Sequence, residues 1–150
     1  MEMIQKSVEK VVMGNEKKSL RMTEHEKRLT AIHEIGHAIV GKMLPHTDPV
    51  HKISILPRGG AGGVTWFLPE KDRTYTSKAK YLDELATLYG GRVAEEVFFG
   101  PEYITTGASS DIERATEIAR AMVMRFGFDP EIGPENLAPD MSEGNFLGGQ

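Results

Sequence analysis

The chain has 150 residues, a formal net charge of −4 and 39% hydrophobic residues. That is one domain's length with apolar content for one core, and the weakly acidic balance excludes a broad basic surface for nucleic acid. There is no cysteine, so disulfides and thiolate metal sites are excluded, and any metal must be held by nitrogen and oxygen.

Residues 1 to 22 are polar and include Lys17-Lys18. They do not read as a signal peptide, and no apolar run anywhere approaches the roughly 18–20 residues of a membrane helix. A short helix before the break at Gly14-Asn15 and then a linker are predicted. Thr23 and Glu26 have the spacing of a capping box, in which each side chain satisfies a free amide at a helix start. Leu29, Ile32, Ile35, Ile39, Val40, Met43 and Leu44 recur at helical spacing until Pro45 stops the run. His33 and His37 therefore lie inside a helix.

Two strands follow. Val50, Ile53, Ile55 and Leu56 form the first, and Val64 to Leu68 the second. The glycine-rich connection between them, Pro57 to Gly63, suggests a hairpin with a long turn. Ser77 to Phe99 reads as a second helix, with Tyr81, Leu82, Leu85, Leu88, Tyr89, Val93, Val97 and Phe98 on its apolar face. Gly90-Gly91 inside it fits either close helix packing or a break. Thr105 to Ser110 is a polar loop. Ser110 and Glu113 have the spacing of another capping box, opening a third helix with Ile112, Ala115, Ile118, Ala119, Met122, Val123 and Phe126 on one face and Gly127 at its end. Residues 128 to 150, rich in proline and glycine, read as a loop or tail.

The chemistry sits in His33-Glu34-Ile35-Gly36-His37, which matches H-E-x-x-H. A helix stacks residues i and i+4 about 5–6 Å apart at Cβ, so two imidazoles can take adjacent corners of a zinc tetrahedron. Glu34 lies about 100° further round the helix. It can reach a water activated by the metal and take its proton as the water attacks an amide carbonyl. Two look-alikes carry nothing. Gly36 to Lys42 resembles a phosphate loop but is mid-helix and followed by Met43. Gly59 to Gly63 lacks dinucleotide spacing and strand context.

Zinc needs a third protein ligand. Val40 and Met43 occupy the glycine and third-histidine positions of H-E-x-x-H-x-x-G-x-x-H, which excludes the metzincin pattern. A downstream acid remains, from Asp72, Asp83, Glu84, Glu95, Glu96 and Asp111. Residue reasoning favours Asp111 and Glu95 equally. Asp111 at a helix start also has a plain structural role, complementing the helix dipole. The strand Val64–Leu68 can hold a peptide as an added strand or only pack on the helix. His25, His46 and His51 read as surface residues.

Four segments together carry a resemblance: Thr30 to Ala38, Val50 to Gly59, Gly90 to Glu96, and Thr105 to Thr116 (TTGASSDIERAT). In order and spacing, from about residue 7 to 140, the chain resembles the peptidase domain of FtsH-type, membrane-anchored AAA metalloproteases. The resemblance implies a mainly α (α+β) fold: a helical, zincin-like peptidase domain with a small sheet. It implies zinc held by His33, His37 and Asp111, with Glu34 as catalytic base and Glu95 orienting a ligand. It also implies polypeptide substrates, a homohexamer, and ATP used only by an ATPase module absent from this chain. The parent protein would sit in the bacterial inner membrane through transmembrane segments absent here, its peptidase domain facing the cytoplasm. Residues 1–22 would be the linker from that module, and 23–150 a peptidase domain lacking its C-terminal helices. Ile35 stands where the family often has alanine. A zinc-stabilised structural or assembly module is the competing reading. Glu34 separates the two, since a purely structural site has no use for it.

Overall fold

The computed structural model describes residues 21–57, 62–69 and 74–139. The helix expected before Gly14, the linker apart from Arg21 and Met22, Asp72 and the tail from residue 140 lie outside the described residues. Three helices and one two-stranded sheet make the described fold mainly helical with a small β element, as expected.

Helix α1 spans Glu24–Met43. Its capping box is complete: the Glu26 N–H donates to Thr23 Oγ1 at 3.1 Å, and the Thr23 N–H donates to Glu26 Oε2 at 3.0 Å. Leu44 is extended, as a residue before proline must be. Strand β1 is Val50–Ser54 and strand β2 is Val64–Phe67, paired antiparallel with Ile53 opposite Thr65. Both are shorter than expected. Ile55 and Leu56 leave the ladder as the Leu56 N–H turns onto Ser54 Oγ at 3.2 Å. Leu68 follows the strand's end, although its N–H still donates to the Pro49 carbonyl.

Helix α2 spans Lys78–Phe99 and is capped by Ser77. It runs unbroken through Gly90-Gly91, which decides for close packing over a break. A Cβ at Gly36 would lie 2.6 Å from Ala94 Cβ, and one at Gly90 would lie 2.7 Å from the Gly36 carbonyl oxygen. The α1 and α2 backbones thus touch where neither carries a side chain. His33 meets Glu95 while His37 meets Thr87, so the two helices run antiparallel.

The apolar face expected for α2 is corrected by this packing. Leu82, Tyr89, Val93, Val97 and Phe98 are exposed among the described residues, and Thr87, Gly90, Gly91 and Glu95 are buried. The period was right but its phase was not: the small and polar stripe is the one that fits against α1. On α1, likewise, Ile35, Ile39 and Met43 are exposed while His33, Gly36 and His37 are buried.

Two 3₁₀ turns, Pro101–Tyr103 and Thr106–Ala108, lead into helix α3, Ser109–Met124. The capping box expected from Ser110 and Glu113 does not form. The turn before α3 feeds straight into it, so Ser110 is already helical, and Ala108 holds the cap position without a side-chain bond. The helix ends at Met124, ahead of Gly127, whose φ of +64° turns the chain and lets Phe128 bond back to the Met122 carbonyl. Ala115, Ile118 and Met122 of α3 are buried with Ala108 and Ala38. Tyr81 stacks on Phe126 at 5.8 Å, tying α2 to the chain after α3.

Candidate metal centre

His33 and His37 project from the buried face of α1, one turn apart. Asp111 enters from the first turn of α3. His33 Nε2 lies 3.0 Å from His37 Nε2 and 3.1 Å from Asp111 Oδ2, and His37 Nε2 lies 3.3 Å from the same carboxylate oxygen. Among the described residues this is the one group of three candidate ligands. Its donor atoms face one another at nearly equal distances. Bonds of ~2.0–2.1 Å to a tetrahedral zinc would place its ligand atoms about 3.3 Å apart. The two-nitrogen, one-oxygen set fits that ion and leaves a corner open.

The far side of each imidazole is also occupied. His33 Nδ1 is 2.7 Å from Glu95 Oε2, and His37 Nδ1 is 2.8 Å from the Thr87 carbonyl oxygen. A carbonyl only accepts, so His37 Nδ1 carries the proton, and its Nε2 is the nitrogen left to bind a metal. A carboxylate on His33 Nδ1 does the same for that ring and raises its basicity. Glu95 is wholly buried. It therefore stands behind His33, while Asp111 stands in front of both rings.

Of the other described acids, none joins that group of three. Asp83 Oδ2 accepts the His46 N–H, Glu84 faces Arg114, and Glu96 is exposed. His25, His46 and His51 are exposed, as expected.

The electrostatics favour a cation between the three groups. Burial pulls the His33 pKa down, but hydrogen bonds to Asp111 and Glu95 and the charges of Glu34 and Asp111 outweigh it, raising it to about 9. His37 is raised too: burial lowers it, and the bonds to Asp111 and Thr87 prevail. Burial pushes Asp111 up, yet the two histidines beside it hold it at about 2.

Glu34 is buried next to His33 and is gripped by β2. Thr65 Oγ1 lies 2.7 Å from Glu34 Oε2 and 2.7 Å from the Glu34 carbonyl oxygen. Gly63 permits that approach, since a Cβ there would lie 2.6 Å from Thr30 Cγ2 and 2.8 Å from the Ser54 carbonyl oxygen. Glu34, the three candidate ligands, Val64 and Thr65 all line one cavity of about 690 Å³.

The match to Peptidase family M41 covers residues 20–150. This chain belongs to peptidase family M41. It is 53% identical over 93% of its length to the ATP-dependent zinc metalloprotease FtsH of Photobacterium profundum. It is 51% identical over 99% of its length to the protein of that name in Caldicellulosiruptor bescii, and 51% over 93% to that in Myxococcus xanthus. The chain spans only 20%, 24% and 22% of those relatives.

In this M41 chain, three contacts had no counterpart in the sequence reading: Thr65 on Glu34, the Thr87 carbonyl on His37, and Thr105 on Glu95. A carbonyl contact leaves no mark on residue type. A threonine in a strand is unremarkable, because β-branched residues belong there.

Glycine also guards the site. A Cβ at Gly91 would lie 2.6 Å from both Cδ2 and Cε1 of the His33 ring. Gly91→Ala is expected to displace that ring, weakening zinc binding by about 10-fold or more and costing about 1–3 kcal/mol of stability. Competitive metal titration and thermal melting would measure both. Gly62→Ala is the control, because its Cβ would meet nothing within 4 Å.

Proposed function

We propose that the chain is a zinc-dependent endopeptidase domain, with His33, His37 and Asp111 as metal ligands and Glu34 as general base. One observation carries the reading: three donor atoms from two helices converge within 4.8 Å of one another, and a buried carboxylate lines the same cavity. A zinc ion held there would polarise the scissile carbonyl and acidify the attacking water.

The chain's own residues supply the rest. Glu95 and the Thr87 carbonyl hold the two rings with Nε2 directed inward. Glu34 takes the proton from the attacking water and delivers it to the leaving amine nitrogen. Thr65 keeps that carboxylate facing the cavity. Among the described residues, β2 pairs on one side only, and its Val64 and Thr65 line the cavity. That supports an extended peptide held as a further strand beside Glu34. A purely structural metal site would have no need of Glu34 or of the cavity.

The named relatives are ATP-dependent, and the chain covers about a fifth to a quarter of their length. Residues 23–150 are the proteolytic part of a longer, hexameric, membrane-anchored protein, joined through 1–22 to an ATPase module. Its substrates are unfolded or membrane polypeptides, and the peptidase part faces the bacterial cytoplasm. No described helix is long and apolar enough to cross a membrane.

Cleavage of unfolded casein tests the core of this reading. Activity is expected to disappear with a chelator and return with zinc. Chelator-resistant cleavage, or zinc-loaded full-length protein that cuts nothing, would count against it.

A further inference from the structure

We propose that Thr105 is a positioning residue for the metal centre, setting the orientation of His33 through Glu95 and tying it to the segment that carries Asp111. The inference rests on the zinc reading above and concerns a residue that touches neither the metal ligands' donor atoms nor substrate.

The two carboxylate oxygens of Glu95 have different partners. Oε2 meets His33 Nδ1 at 2.7 Å. Oε1 accepts both the Thr105 backbone N–H, at 3.0 Å, and the Thr105 hydroxyl, at 2.6 Å. The terminal torsion of glutamate is broad and has no sharp preference of its own. A carboxylate bonded to His33 alone could rotate and carry the ring with it. Two donors from one residue on the opposite oxygen fix its plane. They also supply the partners that a buried carboxylate requires.

The hydroxyl's direction is settled by its second contact. Thr105 Oγ1 accepts the Gly107 N–H at 3.1 Å, so its single proton is free to go to Glu95. Gly107 belongs to the 3₁₀ turn that runs directly into α3, where Asp111 lies in the first turn. One side chain therefore faces two ways. Inward it holds the group that orients His33, and onward it caps the turn that delivers Asp111. Two of the three proposed ligands take their placement from Thr105.

Thr105 is itself exposed, so replacing its hydroxyl by a methyl is not a core substitution. Zinc affinity of the full chain, measured by competition with a chromophoric chelator, is the readout. Thr105→Val is expected to weaken binding about 10-fold, the low end for partners outside the ligand set. Thr105→Ser, which keeps the hydroxyl, is expected to restore it. Residues that act through one another are not additive, so on a Glu95→Gln background Thr105→Val should cost little more. Melting of the metal-free chain is followed in parallel, with Thr116→Val as control. Among the described residues that hydroxyl bonds within α3, to the Ile112 carbonyl. A merely structural role would lower the melting temperature without producing the coupling.

Unchanged affinity in Thr105→Val, an undiminished loss on the Glu95→Gln background, or failure of Thr105→Ser to rescue would each overturn the proposal. If His33→Ala also binds zinc as well as the parent, the metal reading itself has failed and this inference goes with it. If His33→Ala loses zinc while Thr105→Val does not, only the inference falls.

Discussion

Glu34→Gln is expected to lose peptidase activity by at least about 10²–10⁴-fold, the usual contribution of a positioned general base, while still binding zinc. The amide has nearly the shape of the carboxylate and can still accept the Thr65 hydroxyl, which lies 2.7 Å from Oε2. It cannot take a proton from water. Glu34 is buried, and its donor atoms are not among the three that converge on the metal position, so the ligand set survives the change. Casein cleavage and zinc content, measured on one preparation, separate the two effects. Cleavage at the parent's rate would remove Glu34 from the mechanism.

The second large effect concerns Asp111. Asp111→Ala should reduce zinc affinity by more than the roughly 10–100-fold typical of partners outside the ligand set, whereas Glu95→Ala should fall within that range. The two acids differ in their surroundings. Asp111 Oδ2 faces both Nε2 atoms, at 3.1 and 3.3 Å, and its side chain is 21% exposed. Glu95 is wholly buried behind His33. Removing it strands the His33 Nδ1–H, at about 1–3 kcal/mol for an unsatisfied buried group. Glu95→Ala should therefore melt earlier even without metal. A greater loss of affinity at Glu95 than at Asp111 would exchange their roles.

These two acids also mark the limit of what the sequence discloses. The histidine pair was legible because it is local: i and i+4 on a capped helix can only be neighbours. Helix α1 could be read almost to the residue for the same reason, from Thr23 and Glu26 at one end and Pro45 at the other. Asp111 lies 78 residues from His33. Nothing in its immediate sequence surroundings distinguishes it from Glu95; only the resemblance to a family does. Which acid stands in front of the histidines and which behind depends on how α3 packs on α2.

Packing also defeated the reading of α2. Hydrophobic spacing gives a helix its period, but the buried phase of α2 is Thr87, Gly90, Gly91 and Glu95, residues that no hydrophobicity argument selects. The expected cap at Ser110 failed for a similar reason. A serine three residues before a glutamate reads the same inside a helix as at its start, and only the preceding 3₁₀ turn tells them apart.

The glycines between α1 and α2 bear on how relatives of this chain should be judged. Gly36, Gly90 and Gly91 hold no proton, metal or substrate; what they contribute is vacancy. A descendant could keep every chemistry-bearing residue, from His33 to Asp111, and still hold its metal poorly because a methyl group had filled the space His33 needs. A search for the histidine motif would count that protein as active. Inspecting position 91 would reveal the weakened metal site.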